Sequence, residues 1–292
     1  MVNKTFALIG ASGYIAPRHV QGIQHVRGNL VALLDPYDGI GYIDKFYPNA
    51  AFFKESERFD RHLDRLRRKG QGVDYVSICS PNYLHDSHIR LALRNGCDVI
   101  CEKPLVLMHE HLEGLREVER ETGKRINTIL QLRHHPTIIA LREKYKNTTA
   151  VHKVTLNYTT PRGVWYDYSW KGDDDKSGGI NSNIGVHFFD MLMWIFGPLQ
   201  DYEVDNKRRS SSGTLLLKNA EVKYSLSVER EDLPWSEWKP FRSIMVDGSE
   251  VEFSEGFTEL HNVSYEHITN KQGFTLDDVE PAIKLIESIR TA

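Results

Sequence analysis

Between residues 6 and 125 the chain alternates short apolar runs with segments of helical spacing, and this alternation constrains the fold more than any other feature. The apolar runs are Phe6–Gly10, Leu30–Asp35, Asp74–Ser80 and Asp98–Cys101, with Asn49–Phe53 as a weaker one. The helical segments are Tyr14–Arg27, Ser56–Lys69, Leu84–Asn95 and His109–Thr122. Apolar strands separated by helices are typical of a parallel sheet that helices cover on both faces. The pattern predicts a doubly wound α/β domain over residues 1–125.

After residue 125 the pattern changes to a period of two, which is the mark of a half-buried strand. Apolar and polar side chains alternate through residues 222–228. Asp247-Gly248 lies between two strand-like runs and predicts a hairpin turn, and one helix is predicted at about Asn183–Phe196. Residues 126–292 are therefore predicted to form an α+β domain with a mainly antiparallel, open sheet.

Composition excludes several classes of protein. The 292 residues suffice for about two domains. Lys and Arg number 37 against 40 Asp and Glu, so the chain lacks the basic excess of a dedicated nucleic-acid-binding protein. No stretch approaches the roughly 18 apolar residues of a membrane span, and the residues before Phe6 lack the character of a signal peptide. Three cysteines are too few for a disulfide framework. A cytoplasmic protein without a membrane or nucleic-acid partner is expected.

The first apolar run leads through a glycine turn into the first helical segment, as Gly10-x-x-Gly13-x-x-Ala16. A Rossmann dinucleotide site needs this context, because the turn exposes backbone N–H groups and the helix N-terminus attracts a pyrophosphate. Asp35 stands 19 residues beyond Ala16, close to the position of a carboxylate that binds the ribose hydroxyls. It would repel a 2′-phosphate, and Pro36 rather than arginine follows it, so NAD is favoured over NADP. The alternative is a tight turn that binds no ligand.

Two later strand ends also carry polar side chains, and ligands of open parallel sheets bind beyond the carboxyl ends of the strands. Asn82 is predicted either to contact the cofactor or to cap the next helix. Lys103 follows the run that ends at Cys101. Partial desolvation lowers the pKa of a lysine and suits it to proton transfer or to orienting a hydroxyl. An ordinary solvated lysine is the alternative.

Asn183 and His187 are four residues apart, hence on one face of the predicted helix. An amide and an imidazole at the start of a helix could guide and abstract a hydroxyl proton. The alternative is a core histidine that bonds to Asp190 or to the backbone. The remaining histidines do not combine with the cysteines in a zinc spacing, so no metal is predicted.

In their order along the chain, these motifs resemble the Gfo/Idh/MocA oxidoreductases over the whole length. The resemblance rests on Gly10/Gly13/Ala16, Ser80-Pro81-Asn82, Glu102-Lys103-Pro104 and Gly178-Gly179 followed by Asn183, His187 and Asp190. Longer strings resemble a bacterial subgroup, the UDP-2-acetamido-2-deoxy-D-glucuronate 3-dehydrogenases, which serve the synthesis of diacetamido uronic acids for O-antigen. These strings are residues 15–19, 74–85, 169–173 and 183–190.

The resemblance implies NAD-dependent oxidation of the sugar C3 hydroxyl, with Lys103 and His187 beside it. Either residue could be the base; His187 is preferred, with Lys103 positioning the hydroxyl. The family often has aspartate where this chain has Asn183, so Asn183 is expected to orient the substrate rather than to carry charge. The expected substrate contacts are Asn183, Arg162, Tyr166 and Gln131. The expected cofactor contacts are Gly10, Ser12, Gly13, Tyr14, Ile15, Asp35, Ser80, Asn82, His85, Glu102 and Lys103.

The resemblance also implies partners: a UDP-sugar substrate, 2-oxoglutarate as a possible acceptor that reoxidises NADH, and a homotetramer. Arg162 is expected to pair with a carboxylate or pyrophosphate, whose geometry its planar fork matches; a surface arginine is the alternative. Arg133 is expected to help Gln131 to close the site. Three other functions stay open: another sugar or polyol dehydrogenase, an NAD-dependent glycoside hydrolase that oxidises C3 transiently, and a non-catalytic NAD sensor.

Overall fold

The computed structural model describes residues 3–252, 256–257 and 259–291. The strands of the first part of the chain are β1 (Thr5–Ile9), β2 (Asn29–Leu34), β3 (Ala51–Phe53), β4 (Tyr75–Ile78), β5 (Asp98–Cys101) and β6 (Ile126–Thr128). Its helices are α1 (Ala16–His25), α2 (Gly41–Asp44), α3 (Ser56–Arg68), α4 (His85–Arg94) and α5 (His109–Thr122). Short 3₁₀ turns lie at Asn82–Leu84 and Gln131–His134.

The later part of the chain is richer in long strands. Its helices are α6 (Pro136–Tyr145), α7 (Trp165–Tyr168), α8 (Asp174–Ser177), α9 (Val186–Phe196), α10 (Leu260–Thr269) and α11 (Leu276–Thr291). Its strands are β7 (His152–Thr159), β8 (Leu199–Asn206), β9 (Ser210–Leu217), β10 (Ala220–Ser227), β11 (Phe241–Val246) and β12 (Ser249–Glu250). A 3₁₀ turn lies at Trp170–Gly172, and a π-helical turn at Asn181–Gly185 directly precedes α9.

The first sheet is parallel throughout, in the order β3-β2-β1-β4-β5-β6. This order confirms the predicted doubly wound arrangement. The strand order reverses between β1 and β4, and open sheets of this kind bind ligands at such a switch point. The strands are buried because helices cover both faces: β4 is buried at all four positions and β1 at four of five.

The chain divides into two compact units, whose bounds differ from the predicted boundary at residue 125 in two respects. Unit 1 comprises residues 1–129 and 259–279, and unit 2 comprises residues 130–258 and 280–292. Residues 126–128 form β6, which pairs with β5 and so completes the parallel sheet. Residues 259–279 return to unit 1, where α10 packs on α1 and Phe274 bridges to Thr128. Sequence periodicity carries no signal for such a return.

The sheet of unit 2 has the order β12-β11-β7-β10-β9-β8. Four of its five neighbouring pairs are antiparallel, which confirms a mainly antiparallel sheet. The pair β7–β10 is parallel, so the sheet is mixed. In β10 the apolar side chains of Val222, Tyr224 and Leu226 are buried, as their alternation predicts. The turn between β11 and β12 also forms as predicted, with Asp247 and Gly248 both at positive φ.

Within the described ranges, no helix is both long enough and apolar enough to cross a membrane.

Candidate active site

The glycine turn after β1 lies tightly against the end of β4. Gly10 has φ +85°, and a Cβ atom there would lie 2.6 Å from the backbone carbon of Cys79. Any side chain would therefore both strain the backbone and collide with it. The Gly10 carbonyl accepts the Gly13 N–H at 3.0 Å, which closes the turn before α1. The predicted fingerprint is thus a close-packed turn that leads a buried strand into a helix.

The N-terminus of α1 offers a site for a phosphate group. Among the described residues no side chain caps this helix, no acidic residue lies in its first turn, and Pro17 occupies an early position. The first N–H groups of a helix have no intrahelical acceptor and carry partial positive charge. The turn and helix together fit the pyrophosphate of a dinucleotide. Contacts of Ser12, Gly13, Tyr14 and Ile15 with the cofactor stay predictions.

Asp35 follows β2 and is held beside the glycine turn. One of its carboxylate oxygens accepts the Ser12 N–H and the other accepts the Tyr37 N–H, both at 2.9 Å. A carboxylate has about four acceptor positions, so each oxygen keeps one for a ribose hydroxyl. The charge of Asp35 is therefore placed where it would exclude a 2′-phosphate, in agreement with the predicted preference for NAD.

Replacing the Asp35 carboxylate with an amide is expected to weaken the discrimination between the two nicotinamide cofactors. Asp35→Asn keeps one acceptor oxygen but removes the negative charge that repels a 2′-phosphate. We expect the ratio of the NADP to the NAD dissociation constant to fall about tenfold, or about 1.4 kcal/mol. Fluorescence titration with each cofactor measures both constants. Asp38→Asn is the control, because its exposed carboxylate pairs only loosely with Lys54, at 3.4 Å. An unchanged ratio in Asp35→Asn would disprove this role.

Ser80, Asn82 and His85 follow β4, and the structure corrects two predictions for them. Asn82 does not cap α4: Leu84 occupies the capping position and Pro81 precedes the 3₁₀ turn. Asn82 is buried, and its cofactor contact stays a prediction. His85 is fully buried, and its ring nitrogens lie 2.8 Å from the Pro104 oxygen and 2.9 Å from the Ser80 oxygen. It therefore links the loops after β4 and β5, and no ring nitrogen is left for NAD.

Ser80 is buried like its neighbours and keeps a contact of its own. Its hydroxyl lies 2.9 Å from Nδ1 of His88. Burial lowers the pKa of His88 to about 4, so the His88 ring is neutral near pH 7. The predicted cofactor contact of Ser80 stays a prediction.

Glu102 and Lys103 directly follow β5. Lys103 is half-buried, which agrees with the predicted partial desolvation. Glu102 is buried, and its Oε1 lies 2.8 Å from Nε2 of His261 and 3.3 Å from Nε2 of His19. Both imidazoles thus lie against the same oxygen of the Glu102 carboxylate. The cofactor contact predicted for Glu102 stays a prediction.

Sequence reasoning considered only the spacing of histidines and cysteines, from which it predicted no metal. It missed the cluster around Glu102. His19, Glu102 and His261 place ligand-type atoms within 4.8 Å of one another. His19 lies on α1, Glu102 directly follows β5 and His261 lies on α10, so the three residues are far apart in sequence. His261 and Tyr265 are four residues apart on α10, and this one-face spacing is the only local signal that could have pointed to the cluster.

In unit 2, the approach to α9 presents Asn183 and His187. Within residues 181–190 these two residues alone are half-buried, and all the others are buried. They therefore share the accessible face, as predicted, although the turn at Asn181–Gly185 is π-helical rather than α-helical. His187 is therefore only partly buried, and both its predicted catalytic role and the alternative of a core histidine stay predictions.

Asp190 and Arg133 form a buried ion pair beneath that face. The Arg133 Nε and Nη2 atoms donate to the two Asp190 oxygens at 3.0 and 2.7 Å. The side chains are only 7 % and 4 % exposed. Arg133 therefore anchors α9, the helix that begins one residue before His187, and the prediction that it helps to close the site stays a prediction.

Arg162, Tyr166 and Lys171 lie in one segment before α9. Tyr166 is 2 % exposed, and its hydroxyl bonds the side chain of Asn183, which gives Tyr166 a supporting role. Its contact with substrate stays a prediction. Burial lowers the pKa of Lys171, and the nearby charge of Arg162 lowers it further. The two half-buried cations are thus close enough to repel each other, as expected of an anion site before its anion binds.

Arg209, which sequence reasoning missed, ties this segment to the sheet of unit 2. Its guanidinium donates to the Arg162 carbonyl oxygen at 2.9 Å and to both Asp167 oxygens at 3.0 and 3.1 Å. It also donates to Glu229 at 2.8 Å. The backbone position of Arg162 therefore depends on the turn before β9, a dependence that spacing along the chain could not reveal.

Gln131 opens the 3₁₀ turn at the start of unit 2. Its side chain is half-buried, and its Oε1 atom is buried without a hydrogen-bond partner in the described part of the chain. A buried acceptor without a donor costs about 1–3 kcal/mol. A ligand that donates to this oxygen would recover the cost, and the predicted substrate contact of Gln131 stays a prediction.

Two family models match the chain in the order of its two units. The oxidoreductase family model for the NAD-binding Rossmann fold matches residues 4–129, and the model for the family's C-terminal alpha/beta domain matches residues 150–224. The WlbA (WbpB) dehydrogenase from Thermus thermophilus is 46 % identical, with a TM-score of 0.95 over 99 % of this chain and 95 % of that chain. The chain belongs to the Gfo/Idh/MocA oxidoreductase family.

Two further similar proteins are more distant from this chain. WlbA from Bordetella pertussis is 19 % identical, with a TM-score of 0.81 over 99 % of this chain and 95 % of its own, and this likeness shows the fold alone. The D-glucoside 3-dehydrogenase of Escherichia coli is 31 % identical over 128 residues, which are 42 % of this chain and 36 % of the relative. The chain thus matches between 35 % and 37 % of the length of its first curated relatives.

NAD is the family's cofactor, and the residues of unit 1 fit it. A Cβ atom at Gly10 would fill the turn, the first turn of α1 is uncapped, and the Asp35 oxygens keep acceptor positions. The Thermus thermophilus enzyme was solved with NAD and alpha-ketoglutarate, and in another structure with NAD and UDP-GlcNAcA.

Proposed function

We propose that the protein oxidises the C3 hydroxyl of UDP-2-acetamido-2-deoxy-D-glucuronate (UDP-GlcNAcA) to the 3-keto sugar, with NAD as the hydride acceptor. One observation carries this proposal. The WlbA dehydrogenase solved with NAD and UDP-GlcNAcA is 46 % identical to this chain over 99 % of its length. We place the reaction in the cytoplasm, within the synthesis of an O-antigen sugar.

His187 is the general base of the proposed reaction. A positioned imidazole can take the C3 hydroxyl proton near neutral pH, because its ordinary pKa lies close to 6.5. NAD, when bound, accepts the hydride that leaves C3. Lys103 donates a hydrogen bond to the substrate oxygen and so orients it. Asn183, fixed by Tyr166, holds the substrate beside His187.

The cations of unit 2 bind the negative charges of the substrate. UDP-GlcNAcA carries a diphosphate and a carboxylate, and Arg162 can bind either group through two parallel hydrogen bonds. Lys171 adds a second positive charge, and its lowered pKa reflects burial and the charge of Arg162. An anion bound between Arg162 and Lys171 removes the repulsion between these two cations. The free energy of substrate binding is therefore more favourable than the separate contacts with each cation would give.

Gln131 is predicted to accept a hydrogen bond from the substrate. Gln131→Leu removes the buried Oε1 atom but keeps most of the volume. We expect the KM for UDP-GlcNAcA to rise about 5- to 20-fold, because the substrate donor then has no partner. The KM for NAD should not change, and steady-state kinetics with each substrate measures both. Gln21→Leu, on the surface of α1, is the control. If Gln131→Leu leaves the KM for the sugar unchanged, the residue does not contact it.

The test of function incubates the protein with NAD and UDP-GlcNAcA, with and without 2-oxoglutarate. NADH absorbance and the mass of the sugar product are followed together. A sugar product two mass units lighter than UDP-GlcNAcA supports the proposed oxidation. If the yield of this product requires 2-oxoglutarate, NADH is reoxidised in place. A free sugar released without net NADH identifies a glycoside hydrolase. No conversion, with NAD still bound, contradicts the substrate and directs the search to other sugars and polyols. Size-exclusion chromatography with light scattering tests the proposed homotetramer.

A further inference from the structure

A chain of buried polar side chains lies directly behind Lys103. Oε1 of Glu102 lies 2.8 Å from Nε2 of His261 and 3.3 Å from Nε2 of His19. Its second oxygen accepts the backbone N–H of Lys103 at 3.3 Å. Nδ1 of His19 lies 2.9 Å from the Tyr265 hydroxyl, which in turn lies 2.5 Å from that of Ser77. All six residues belong to unit 1.

The distances and charges allow one arrangement of protons along this chain. An ionised carboxylate only accepts hydrogen bonds, so both imidazoles donate to Glu102 through Nε2–H. Burial lowers the pKa of His19, and its ring is neutral. Nδ1 of His19 therefore accepts from the Tyr265 hydroxyl, and the Tyr265 oxygen accepts from Ser77. Every member of the chain is satisfied, which is the condition under which a buried polar network rigidifies its surroundings.

Glu102 stays ionised because of these bonds. Burial by itself would raise the pKa of Glu102, but the hydrogen bonds that His19 and His261 donate outweigh burial and hold the pKa well below its ordinary value. Burying a charged group seldom adds net stability compared with apolar residues of the same size, even when the charge has partners. The cluster therefore calls for a role other than stability, and its contact with the Lys103 backbone supplies one.

The network also connects the end of β5 to two helices. His261 and Tyr265 lie on α10, and His19 lies on α1. A Cβ atom at Gly22 of α1 would be 2.4 Å from the Tyr265 ring, so the two helices pack in close contact at this glycine. The returning segment 259–279 thus brings two side chains of the network to the parallel sheet.

We propose that His19 and His261 are positioning residues for Lys103, acting through Glu102. By holding the carboxylate in one orientation, they fix the backbone N–H of Lys103 and with it the direction in which the lysine side chain leaves β5. The role of Lys103 in turnover rests on the proposed function. A displacement of about 1 Å at a reacting group can cost roughly 100-fold in rate.

The test compares two replacements of His261 that differ in hydrogen bonding. His261→Gln keeps an N–H donor for Glu102, whereas His261→Leu removes it. We expect kcat to fall roughly 10- to 100-fold in His261→Leu and to recover most of that loss in His261→Gln. The dissociation constant of NAD should change less than about threefold in both. Tyr265→Phe, which removes only the hydroxyl that donates to His19, should lower kcat by a few-fold if His261→Leu does not fold.

A second readout does not depend on the substrate. The rate at which acetic anhydride modifies Lys103 is measured against pH by mass spectrometry, with the exposed Lys207 as internal reference. We expect the rate of Lys103 modification, measured relative to that of Lys207, to change at least about threefold in His261→Leu. In His261→Gln this rate should match that of the wild type. Wild-type protein that fails to oxidise UDP-GlcNAcA contradicts the proposed function only, because this readout still tests the positioning.

Three outcomes would overturn the positioning role. The first is an unchanged Lys103 profile in a folded His261→Leu protein. The second is an equal loss of kcat in His261→Gln and His261→Leu that follows their loss of thermal stability, which indicates a structural role alone. The third is a stoichiometric metal ion in the wild type that His261→Leu loses, which makes His19, Glu102 and His261 a metal site.

Discussion

Replacing His187 with asparagine is expected to lower kcat for UDP-GlcNAcA by about 10²- to 10⁴-fold, the usual contribution of a general base. The asparagine keeps a polar group on the accessible face of α9 but cannot take a proton. NAD is expected to bind unchanged, because the residues that fit it lie in unit 1. Stopped-flow measurement of NADH formation gives the rate of the chemical step.

Lys103→Met is the matched variant that separates the two catalytic roles. If His187 is the base and Lys103 orients the hydroxyl, added imidazole restores part of the rate in His187→Asn but not in Lys103→Met. The fall of kcat/KM at low pH, where histidine takes up a proton, should also persist in Lys103→Met. Rescue of Lys103→Met by added amines, with no effect of imidazole on His187→Asn, would assign the base to Lys103.

Replacing Arg133 with methionine is expected to lower the free energy of unfolding by about 3–5 kcal/mol, because the buried Asp190 carboxylate loses the guanidinium that pairs with it. Both side chains of the pair are less than a tenth exposed. The methionine fills much of the volume of the arginine side chain. The lowered free energy of unfolding therefore reflects the broken ion pair rather than a cavity. Urea unfolding followed by circular dichroism measures it, and kcat should fall as well because Asp190 anchors α9.

Lys207→Met is the control for this loss, since its pair with Asp205 is well exposed on both sides. Exposed pairs contribute at most about 1 kcal/mol, so this variant should unfold at nearly the wild-type urea concentration. A loss in Arg133→Met no greater than that in Lys207→Met would show that Asp190 finds another partner, and the anchoring role would then be withdrawn.

Local patterns were enough to predict most of unit 1. Apolar runs and helical spacing depend on neighbours within a few residues, so β5 and α5 begin and end where the pattern places them. The turn at Gly10 and the acid at Asp35 were predictable for the same reason. In unit 2, the spacing of Asn183 and His187 predicted a shared face, and the structure leaves these two side chains accessible.

The sequence by itself determined the parallel sheet, the glycine turn, the acid after β2 and the family. Only the tertiary structure showed that His85 is buried between two loops, that Arg133 pairs with Asp190, and that residues 259–279 return to unit 1. Each of these facts depends on contacts between residues distant along the chain. Periodicity records which side of an element is buried, but it does not record which other element buries it. The partners of a buried charge are therefore decided by packing in three dimensions.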